Sequence, residues 1–568
     1  MSDKRPLKVV LYWHMHQPEY RDLGSGVYQL PWTYLHVIKD YVDMVAHLEA
    51  YPKAHAVVNF TPILLEQIDD YAQQIRAYLE GRTPIKDPLL AALVQAMLPG
   101  EPEPRIALIK DCLRAHEERL IKRFPAYQRL AKIADWLQDN TEAVMYIDNQ
   151  YLVDLLVWHH LAWIGETVRR SDSRIRRLID KETAYTLEDR WGLLEVIGEL
   201  HETVIARYRA LAEKGQIELS VTPYAHPIVP LLLDLKSTHQ AMPEAALPRN
   251  EVYPGGLERS RWHIHQGLKT FEHYFGFRPK GSWPSEGSIS EDTLGLLSEF
   301  GFQWTASGGS VLRNSLKAIE HPAAEGDCLH RPYRLQGTPV NCFFRDDGLS
   351  DLIGFTYSHW HGDDAVANLI HHLESIACAC RSRSGRVVSI ILDGENAWEH
   401  YPENGYYFLQ ALYRELSAHP GLELTTYSRV LAEHPEVDEL DRLVAGSWVY
   451  GTFSTWIGDQ DKNQGWDMLV EAKRCFDQAM RSPRLADRLR KQAQRQLAIC
   501  EGSDWFWWFG DYNAPDSVSD FEILFRRNLT LLYEILGETP PGYLSEAFTY
   551  GKGSPDMGGT MRRGQESG

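Results

Sequence analysis

The chain has 568 residues, of which 44% are hydrophobic, and its formal net charge is -19. This length exceeds what one ordinary compact core holds, so it predicts a large domain with insertions, or two to three domains. A surface that binds the phosphates of nucleic acid needs an excess of basic residues, whereas this chain has an excess of acidic ones. The charge therefore argues against nucleic acid as a partner.

The first apolar run, Val9 to Trp13, is too short for the core of a signal peptide and far too short for a membrane span. We therefore predict a cytoplasmic protein with no membrane partner. The seven cysteines are an odd number without CxxC spacing, which indicates neither a zinc ribbon nor a disulfide framework. The oligomeric state stays open.

Short apolar and β-branched runs recur along the chain and predict strands. They are KVVLYW (8–13), AHAVVNF (54–60), QIELSVT (216–222), a short run near 280, FQWTAS (302–307), PVNCFF (339–344), VVSIIL (387–392) and LELTTY (422–427). Several are apolar almost throughout, as strands buried on both faces are, and helical stretches such as 289–301 lie between most of them. This alternation predicts an α/β barrel or a doubly wound parallel sheet.

Two long regions carry helical rather than strand patterns. Residues 63–214 predict a helical insertion between two strands, and the chain is helical again after about 430. We predict a catalytic barrel at 1–430 that includes the insertion, and a C-terminal helical region at 431–550 that contributes to the site. The tail, 551–568, is poor in hydrophobic residues and predicts disorder.

Polar segments follow the predicted strands. They are HMHQP (14–18), TPYAHPIVP (222–230), SWPSEG (282–287), RDDG (345–348) and DGENAWEHY (393–401). In a barrel of alternating strands and helices, the segments that follow the strands meet at the carboxyl end and carry the chemistry. We therefore expect these segments to form one site.

Two carboxylates in these segments matter most. Glu286 is flanked by small residues, and Asp393 ends an apolar strand. One acidic residue at a strand end is as readily a helix cap, but a pair at one end of a barrel is typical of glycoside hydrolysis, where two carboxyl groups face the scissile bond. Trp283 and Trp398 are placed to stack on a sugar ring.

Five segments occur in the order that one enzyme family shows. They are HQP (16–18), GQIELSVTPYAHPI (215–228), WPSEGS (283–288), LDGENAWEHY (392–401) and EGSDWFWWFG (501–510). On these segments the chain resembles glycoside hydrolase family 57. The resemblance implies an incomplete (β/α)7 barrel with a helical insertion and a C-terminal helical region, acting on α-glucans or maltooligosaccharides. The wording of LDGENAWEHY and of residues 450–466 is most similar to the amylopullulanase and α-amylase group.

The resemblance also implies roles for residues. Glu286 is the expected nucleophile and Asp393 the expected general acid/base of a retaining mechanism, with Asp393 kept protonated by the charge of ionised Glu286. The expected substrate-binding residues are His14, His16, Glu218, His226, Trp283, Glu395, Trp398, His400, Asp504 and Trp505. His14 and His16 are expected to donate hydrogen bonds to sugar hydroxyls. No cofactor and no metal is expected, because two carboxylates suffice for this chemistry.

Several alternatives stay open. A 4-α-glucanotransferase or a branching enzyme would use the same covalent intermediate and pass it to another glucan. A metal-dependent polysaccharide deacetylase or α-mannosidase would use His14 and His16 as ligands. An inactive glucan-binding protein is disfavoured because both carboxylates are present. Structural roles also stay open for Glu218, inside the barrel, and for His226.

Overall fold

The computed structural model of the chain describes residues 6–320, 329–380, 385–483, 485–553 and 560–563, which form one ten-stranded sheet with helices around it. The strands are β1 (Leu7–Met15), β2 (Ala56–Phe60), β3 (Ile217–Val221), β4 (Gly281–Ser282), β5 (Trp304–Ser307), β6 (Tyr333–Leu335), β7 (Asn341–Phe344), β8 (Val387–Asp393), β9 (Leu422–Leu424) and β10 (Asp438–Leu440).

Seven of these strands curl into a parallel barrel in the order β7-β5-β4-β3-β2-β1-β8. The two outermost strands meet through a single parallel bridge, Arg345 to Ser389, so the ring closes at one residue pair only. Strand β6 pairs antiparallel with β7, β10 extends the sheet beyond β6, and β9 pairs with the first residues of β1. The prediction of an incomplete (β/α)7 barrel is confirmed.

Apolar and aromatic side chains fill the barrel interior. Alternate residues of a strand point to opposite faces, so Val10 and Tyr12 enter the interior while their neighbours pack under the helices. Trp304, Phe343 and Tyr427 fill the remaining space, and the rings of Phe343 and Tyr427 stack with centroids 4.0 Å apart. Because these side chains fill the interior, a polar site can form only at one of the two ends of the barrel.

Helices occupy the stretch between β2 and β3 that was predicted as an insertion. They are α3 (Pro62–Leu79), α4 (Pro88–Val94), α5 (Pro102–Asp111), α6 (Pro125–Asp139), α7 (Asn149–Trp163), α8 (Glu166–Ser171), α9 (Ser173–Lys181) and α10 (Leu187–Glu213), after α1 (Trp32–His36) and α2 (Val42–Ala50) in the preceding connection. The 27-residue α10 begins with a capping box between Thr186 and Asp189 and returns the chain to the barrel.

The remaining helices follow β3. They are α11 (Val229–Leu233), α12 (Gly256–Phe275), α13 (Glu291–Glu299), α14 (Gly309–Ala318), α15 (Asp347–Asp351), α16 (Gly362–Ala379), α17 (Tyr406–Ala418), α18 (Tyr427–Glu433), α19 (Gln460–Arg481), α20 (Asp487–Cys500), α21 (Asp504–Trp508) and α22 (Pro515–Leu536). None of the helices in the described ranges combines the length and the apolar character that a membrane crossing requires.

The eight predicted strands all exist, and the differences lie at short elements. Strand β9 is shorter than predicted because the chain turns into α18 at Tyr427. Strands β6 and β10 were not predicted, since three residues of mixed polarity carry no period. The tail predicted to be disordered is described at 551–553 and 560–563, and its other residues lie outside the described ranges.

Candidate active site

Polar side chains converge where β1, β2 and β8 end. The register places His14 beside Asn59 of β2 on one side and beside Asp393 of β8 on the other. A backbone hydrogen bond from Gly394 N to His14 O (2.7 Å) continues this pairing past the end of β8. The parallel register thus fixes the height of Asp393 relative to the histidine of β1.

Glu286 lies in the turn Ser285–Gly287 after β4, with a backbone φ of +57°. Few residues other than glycine adopt this conformation, and such positions cost about 1–3 kcal/mol and cluster at functional sites. Trp448 holds the turn from a distant loop: its backbone N–H donates to Glu286 O (3.1 Å) and its indole N–H to Glu286 Oε2 (2.9 Å). The Glu286 side chain, 14% exposed, is therefore aimed by a residue far along the chain.

Asp393 ends β8 and accepts a hydrogen bond from Asn396 Nδ2 (2.9 Å) on Oδ2. Burial raises the pKa of Asp393 to about 6, against the hydrogen bond from Asn396 and the positive potentials of His16 and Arg345. The expectation of a raised pKa is confirmed, but burial rather than the charge of Glu286 is the cause.

Glu286 has the higher pKa of the two carboxyl groups. Burial raises it to about 8, the charge of Asp393 adds to the rise, and the hydrogen bond from Trp448 opposes it. In the free protein near neutral pH, the pair thus holds one proton, and that proton lies mainly on Glu286. This is the reverse of the distribution expected from the sequence, in which Asp393 carries the proton.

Three histidine rings stack beside the carboxyl groups. The ring of His226 lies 3.8 Å from that of His16 and 5.2 Å from that of His14, centroid to centroid, each at an interplanar angle of 18°. Burial lowers the pKa of His14 to about 3 and that of His226 well below its ordinary value. His14 and His226 are therefore neutral at physiological pH.

Neutrality fixes the tautomers of these two rings. His14 Nδ1–H donates to Asn59 Oδ1 (2.7 Å), so His14 Nε2 carries no hydrogen and accepts a hydrogen bond from His226 Nε2–H (3.2 Å). His226 Nδ1 in turn accepts from the Ser503 hydroxyl (2.8 Å). Both ring nitrogens of His14 and of His226 are thus used within the protein.

The C-terminal helical region reaches this cluster through Ser503 and Asp504. Ser503 N donates to His226 O (2.9 Å), and His16 Nε2–H donates to Asp504 Oδ1 (2.7 Å). Thr61 Oγ1 lies 3.0 Å from the other ring nitrogen of His16. The expectation that His14 and His16 donate to sugar hydroxyls finds no free donor on these rings.

Most of the chain matches a known enzyme family. A model of the family described as glycosyl hydrolase family 57 matches residues 10–442. The chain belongs to glycosyl hydrolase family 57. It is thus an enzyme of the glycoside hydrolase class.

Solved structures of two family 57 branching enzymes and of an α-amylase share its fold. A branching enzyme from Thermococcus kodakaraensis matches with a TM-score of 0.56 at 17% identity, over 93% of this chain and 90% of the other. A branching enzyme from Pyrococcus horikoshii matches with a TM-score of 0.56 at 16% identity, over 96% and 99%. The α-amylase AmyC from Thermotoga maritima matches with a TM-score of 0.56 at 15% identity, over 94% of each chain.

A metal site in this family 57 enzyme was the open alternative for the histidines. His16, His226 and Asp504 bring ligand atoms within 4.8 Å of one another. The stacked rings of His16 and His226 are nearly parallel, however, so one ion could not lie in the planes of both rings, where the nitrogen lone pairs point. His226 Nε2 also carries a proton. The donor set does not fit a shared metal.

The three tryptophans expected at the substrate site are core residues, including the two expected to stack on a sugar ring, Trp283 and Trp398. Trp283 is fully buried against Tyr12 and His14, beneath the site. Trp398 packs between Trp13 and Phe408, and its indole N–H donates to Gly394 O. Trp505, 1% exposed, donates to Ile499 O. These three side chains support the site from behind and offer no open face to a substrate.

Three further residues that were expected to bind substrate lie outside the site, namely Glu218 and His400, and Glu395 behind it. Glu218 lies at the opposite end of the barrel, where Trp304 Nε1 (2.8 Å) and the backbone and hydroxyl of Ser428 donate to it. His400 is exposed and packs against His116.

Glu395 lies behind the site, 2% exposed. Its Oε1 accepts from His16 N and Gln17 Nε2, both at 3.3 Å, and so fixes the turn after β1. Burial, aided by the charge of Asp393, raises the pKa of Glu395 well above its ordinary value.

Sequence reasoning missed Trp448, Asn396 and Arg345. The guanidinium of Arg345 lies over the Trp448 ring at 5.5 Å and donates to Ile391 O on β8 (2.8 Å). The polar segment RDDG marked Arg345, and Asn396 stands within DGENAWEHY. Trp448 had no local signal, because only the fold brings its loop to Glu286.

Proposed function

We propose that the protein cleaves α-glucosidic bonds of glucans with retention of configuration, with Glu286 as nucleophile and Asp393 as general acid/base. The observation that carries this proposal is the carboxyl pair: both groups lie largely buried at the carboxyl end of the barrel, and the charge of Asp393 acts on Glu286. The branching enzymes and the α-amylase that share the fold favour an α-glucan as substrate. The motif wording favours hydrolysis of α-1,4 and also α-1,6 bonds.

The single proton of the pair must lie on Asp393 for the first step. Asp393 then protonates the departing glycosidic oxygen while Glu286 attacks the anomeric carbon, which leaves a glycosyl ester on Glu286. A bound glycosidic oxygen accepts a hydrogen bond from protonated Asp393 and so favours this distribution of the proton. The indole N–H of Trp448 favours it too, because it stabilises the ionised form of Glu286.

Release of the sugar reverses these roles. Esterified Glu286 carries no charge, and Asp393, which is now ionised, takes a proton from water as the water attacks the anomeric carbon. The ester bond breaks, Glu286 leaves as a carboxylate, and the sugar keeps its α configuration. If the hydroxyl of a second glucan replaces water, the same intermediate gives transfer.

Product analysis tests the substrate class and the acceptor. The enzyme is incubated with pullulan, amylose and maltooligosaccharides, and the products are separated by chromatography. We expect shorter chains only, with α-1,6 cleavage shown by pullulan. Longer redistributed chains would replace hydrolase by glucanotransferase or branching enzyme, and unchanged substrates would overturn the proposal.

Azide rescue tests the two roles. In Asp393→Asn, an α-glucosyl fluoride needs no acid and still forms the ester on Glu286, and azide, which needs no base, releases an α-glucosyl azide. In Glu286→Gln, azide attacks the sugar directly from the vacated side and gives the β product. If the two products exchanged variants, the nucleophile and the acid/base would be assigned the wrong way round.

A further inference from the structure

A short segment near the end of the chain, residues 560–562, lies beside the carboxyl end of the barrel. Asn396, which donates to Asp393 Oδ2 at 2.9 Å, places the same amide nitrogen 3.4 Å from Thr560 O. One amide nitrogen carries two hydrogens, so Asn396 serves both acceptors. The segment thus contacts a residue that is itself hydrogen-bonded to the proposed acid/base.

Arg562 fixes the other end of this segment on the C-terminal helical region. Its Nη1 donates to Thr455 Oγ1 (3.1 Å) and its Nη2 to Trp507 O (3.2 Å). The guanidinium also lies over the rings of Trp507 (4.4 Å) and Tyr512 (4.6 Å). Stacking on aromatic rings suits the planar guanidinium of arginine. Arg562 therefore covers one face of each ring.

Trp507 belongs to the helix that also brings Asp504 to the site, α21 (Asp504–Trp508). Asp504 Oδ1 accepts from His16 Nε2 at 2.7 Å. Residues three apart on a helix lie on the same face, so Trp507 follows Asp504 on the side of α21 that meets the histidines. Trp507 is 8% exposed beneath Arg562.

These contacts join the two sides of the site through the segment. Thr560 and Arg562 are two residues apart, so their Cα atoms are at most about 7 Å apart. On one side Thr560 meets the loop after β8, which carries Asp393 and Asn396, and on the other side Arg562 meets Trp507 of α21. The segment thus spans from the loop of the proposed acid/base to the C-terminal helical region.

We propose that residues 560–562 form one wall of the substrate cleft, and that Arg562 limits the length of glucan that the cleft accepts by occupying the ring faces of Trp507 and Tyr512. The inference rests on the proposed function for its substrate class. The C–H groups of a glucose ring pack on an aromatic face, and a guanidinium already stacked there excludes the sugar. Arg562 is thus a residue that determines specificity without touching the reacting atoms.

The test compares Arg562→Ala with Arg562→Lys and Arg563→Ala in the full chain. Alanine uncovers the two rings, whereas lysine keeps a long cationic side chain over them. Arg563, which is exposed and lies over the Phe355 ring at 4.9 Å, is the neighbouring control. The readouts are kcat and KM for maltotriose, maltopentaose and maltoheptaose, because the dependence on chain length shows whether a further sugar position has become available.

Uncovering the rings has a defined effect on the kinetics. In Arg562→Ala, kcat/KM for maltoheptaose should rise about three- to tenfold, the range of one aromatic contact, while that for maltotriose stays unchanged. The gain should lie in KM, since stacking remote from the scissile bond is equal in the substrate and in the transition state. Arg562→Lys and Arg563→Ala should keep the chain-length dependence of the wild type.

Two kinetic results would overturn the inference. An equal change for all three substrates in Arg562→Ala would show a merely structural role. A selective loss on maltoheptaose would show that Arg562 binds the glucan instead of excluding it.

A second readout needs no turnover. Hydroxyl radicals modify exposed aromatic side chains, and mass spectrometry of the peptides that contain Trp507 and Tyr512 measures how far the rings are covered. We expect slow modification in the wild type, faster modification in Arg562→Ala, and renewed protection of this variant by maltoheptaose. Peptides remote from the segment should react as in the wild type, which shows that the variant is folded. Equal rates in wild type and variant, or no protection by maltoheptaose, would overturn the inference.

The two readouts separate this inference from the proposed function. Protection of the rings by maltoheptaose in an Arg562→Ala protein that converts none of the glucans would overturn the proposed function and support the wall. Cleavage of glucans with the same chain-length dependence in wild type and Arg562→Ala would keep the proposed function and overturn the role of Arg562.

Discussion

The two ends of the barrel treat a carboxylate in opposite ways. At the amino end, Glu218 accepts from Trp304 and from two groups of Ser428, so its charge is met by donors. At the carboxyl end, Glu286 and Asp393 have one side-chain donor each, Trp448 and Asn396, and the charge of one acts on the other.

We propose that this difference separates a structural carboxylate, Glu218, from the reactive pair. A carboxylate surrounded by donors stabilises one conformation, whereas two largely buried carboxyl groups with few donors have raised pKa values and can exchange a proton with a substrate. The carboxyl end also holds Glu286 and His226 at positive φ, at +57° and +60°. Strain and poorly neutralised charge therefore occur together at the carboxyl end.

The largest expected effect separates the two ends directly. Asp393→Asn and Glu286→Gln should each lower kcat/KM by about 10³-fold or more on natural glucans, because each removes a group that transfers a proton or forms a bond. Glu218→Gln, the matched change at the other end, should keep kcat/KM within about threefold, an effect below the 1.4 kcal/mol that corresponds to a factor of ten. Steady-state kinetics of purified, folded variants provides the measurement. A loss in Glu218→Gln as large as in the other two would erase the distinction.

The wild-type pH profile should be bell-shaped. The active form holds one proton on the pair, so kcat/KM should peak between about pH 6 and about pH 8 and fall on either side, as the pair gains or loses a proton.

Trp448→Phe removes the indole donor to ionised Glu286. A hydrogen bond to a charged group contributes about 1.5–3 kcal/mol, so the highest kcat/KM of Trp448→Phe should lie about 10- to 100-fold below that of the wild type. The alkaline limb should move to higher pH, and an unchanged limb would contradict this role for Trp448.

The amino end should respond in stability instead of activity. Glu218→Gln replaces an acceptor-only oxygen by an amide NH2 that faces donors, and the free energy of unfolding should fall by about 1–3 kcal/mol. Denaturant titration of the variant and of the wild type measures this change. His400→Gln, at an exposed position, is the control and should leave the midpoint unchanged. Equal midpoints for Glu218→Gln and wild type would mean that the barrel does not depend on this carboxylate.

The smallest effect expected is that of chelation. Because the stacked rings of His16 and His226 do not suit one shared ion, extensive treatment with a chelator should leave turnover unchanged at 25 °C. Metal analysis of the active protein accompanies the assay. Stoichiometric zinc, whose removal abolishes activity and whose return restores it, would reassign the carboxyl end to metal chemistry.

The sequence allowed the fold class and the positions of Glu286, Asp393 and Asp504 to be predicted, because strand runs followed by polar segments have a local pattern. It could not tell which residues face the cavity. Trp398 and Trp505 stand beside reactive residues in the chain yet point into the core. Adjacent residues of a motif point in different directions, and their neighbours are set by tertiary packing.

The residues that hold Glu286 and Asp393 could not be found from the sequence for a related reason. Trp448 lies 162 positions after Glu286, and Thr560, whose carbonyl oxygen accepts from Asn396, lies in a tail whose composition predicted disorder. Their contacts depend on how a loop and a tail fold back on the barrel. No local sequence pattern predicts that a distant loop or tail packs against the barrel, so these residues could be identified only from the structure.

The single bridge between β7 and β8 gives the barrel a seam. Strands β1 and β8 share seven residue pairs, whereas among the described residues one bridge, Arg345 to Ser389, joins the end of β7 to β8, with the Arg345 side chain donating to Ile391 O. Native-state fluctuations open a structure where few hydrogen bonds and packed contacts must break, so amide hydrogens at this seam should exchange before those of β1. Arg345 lies over Trp448, the residue that aims Glu286. An opening of the seam would therefore disturb the residue that aligns Glu286, the proposed nucleophile, so the strength of this one bridge would bear on how well the site stays ordered.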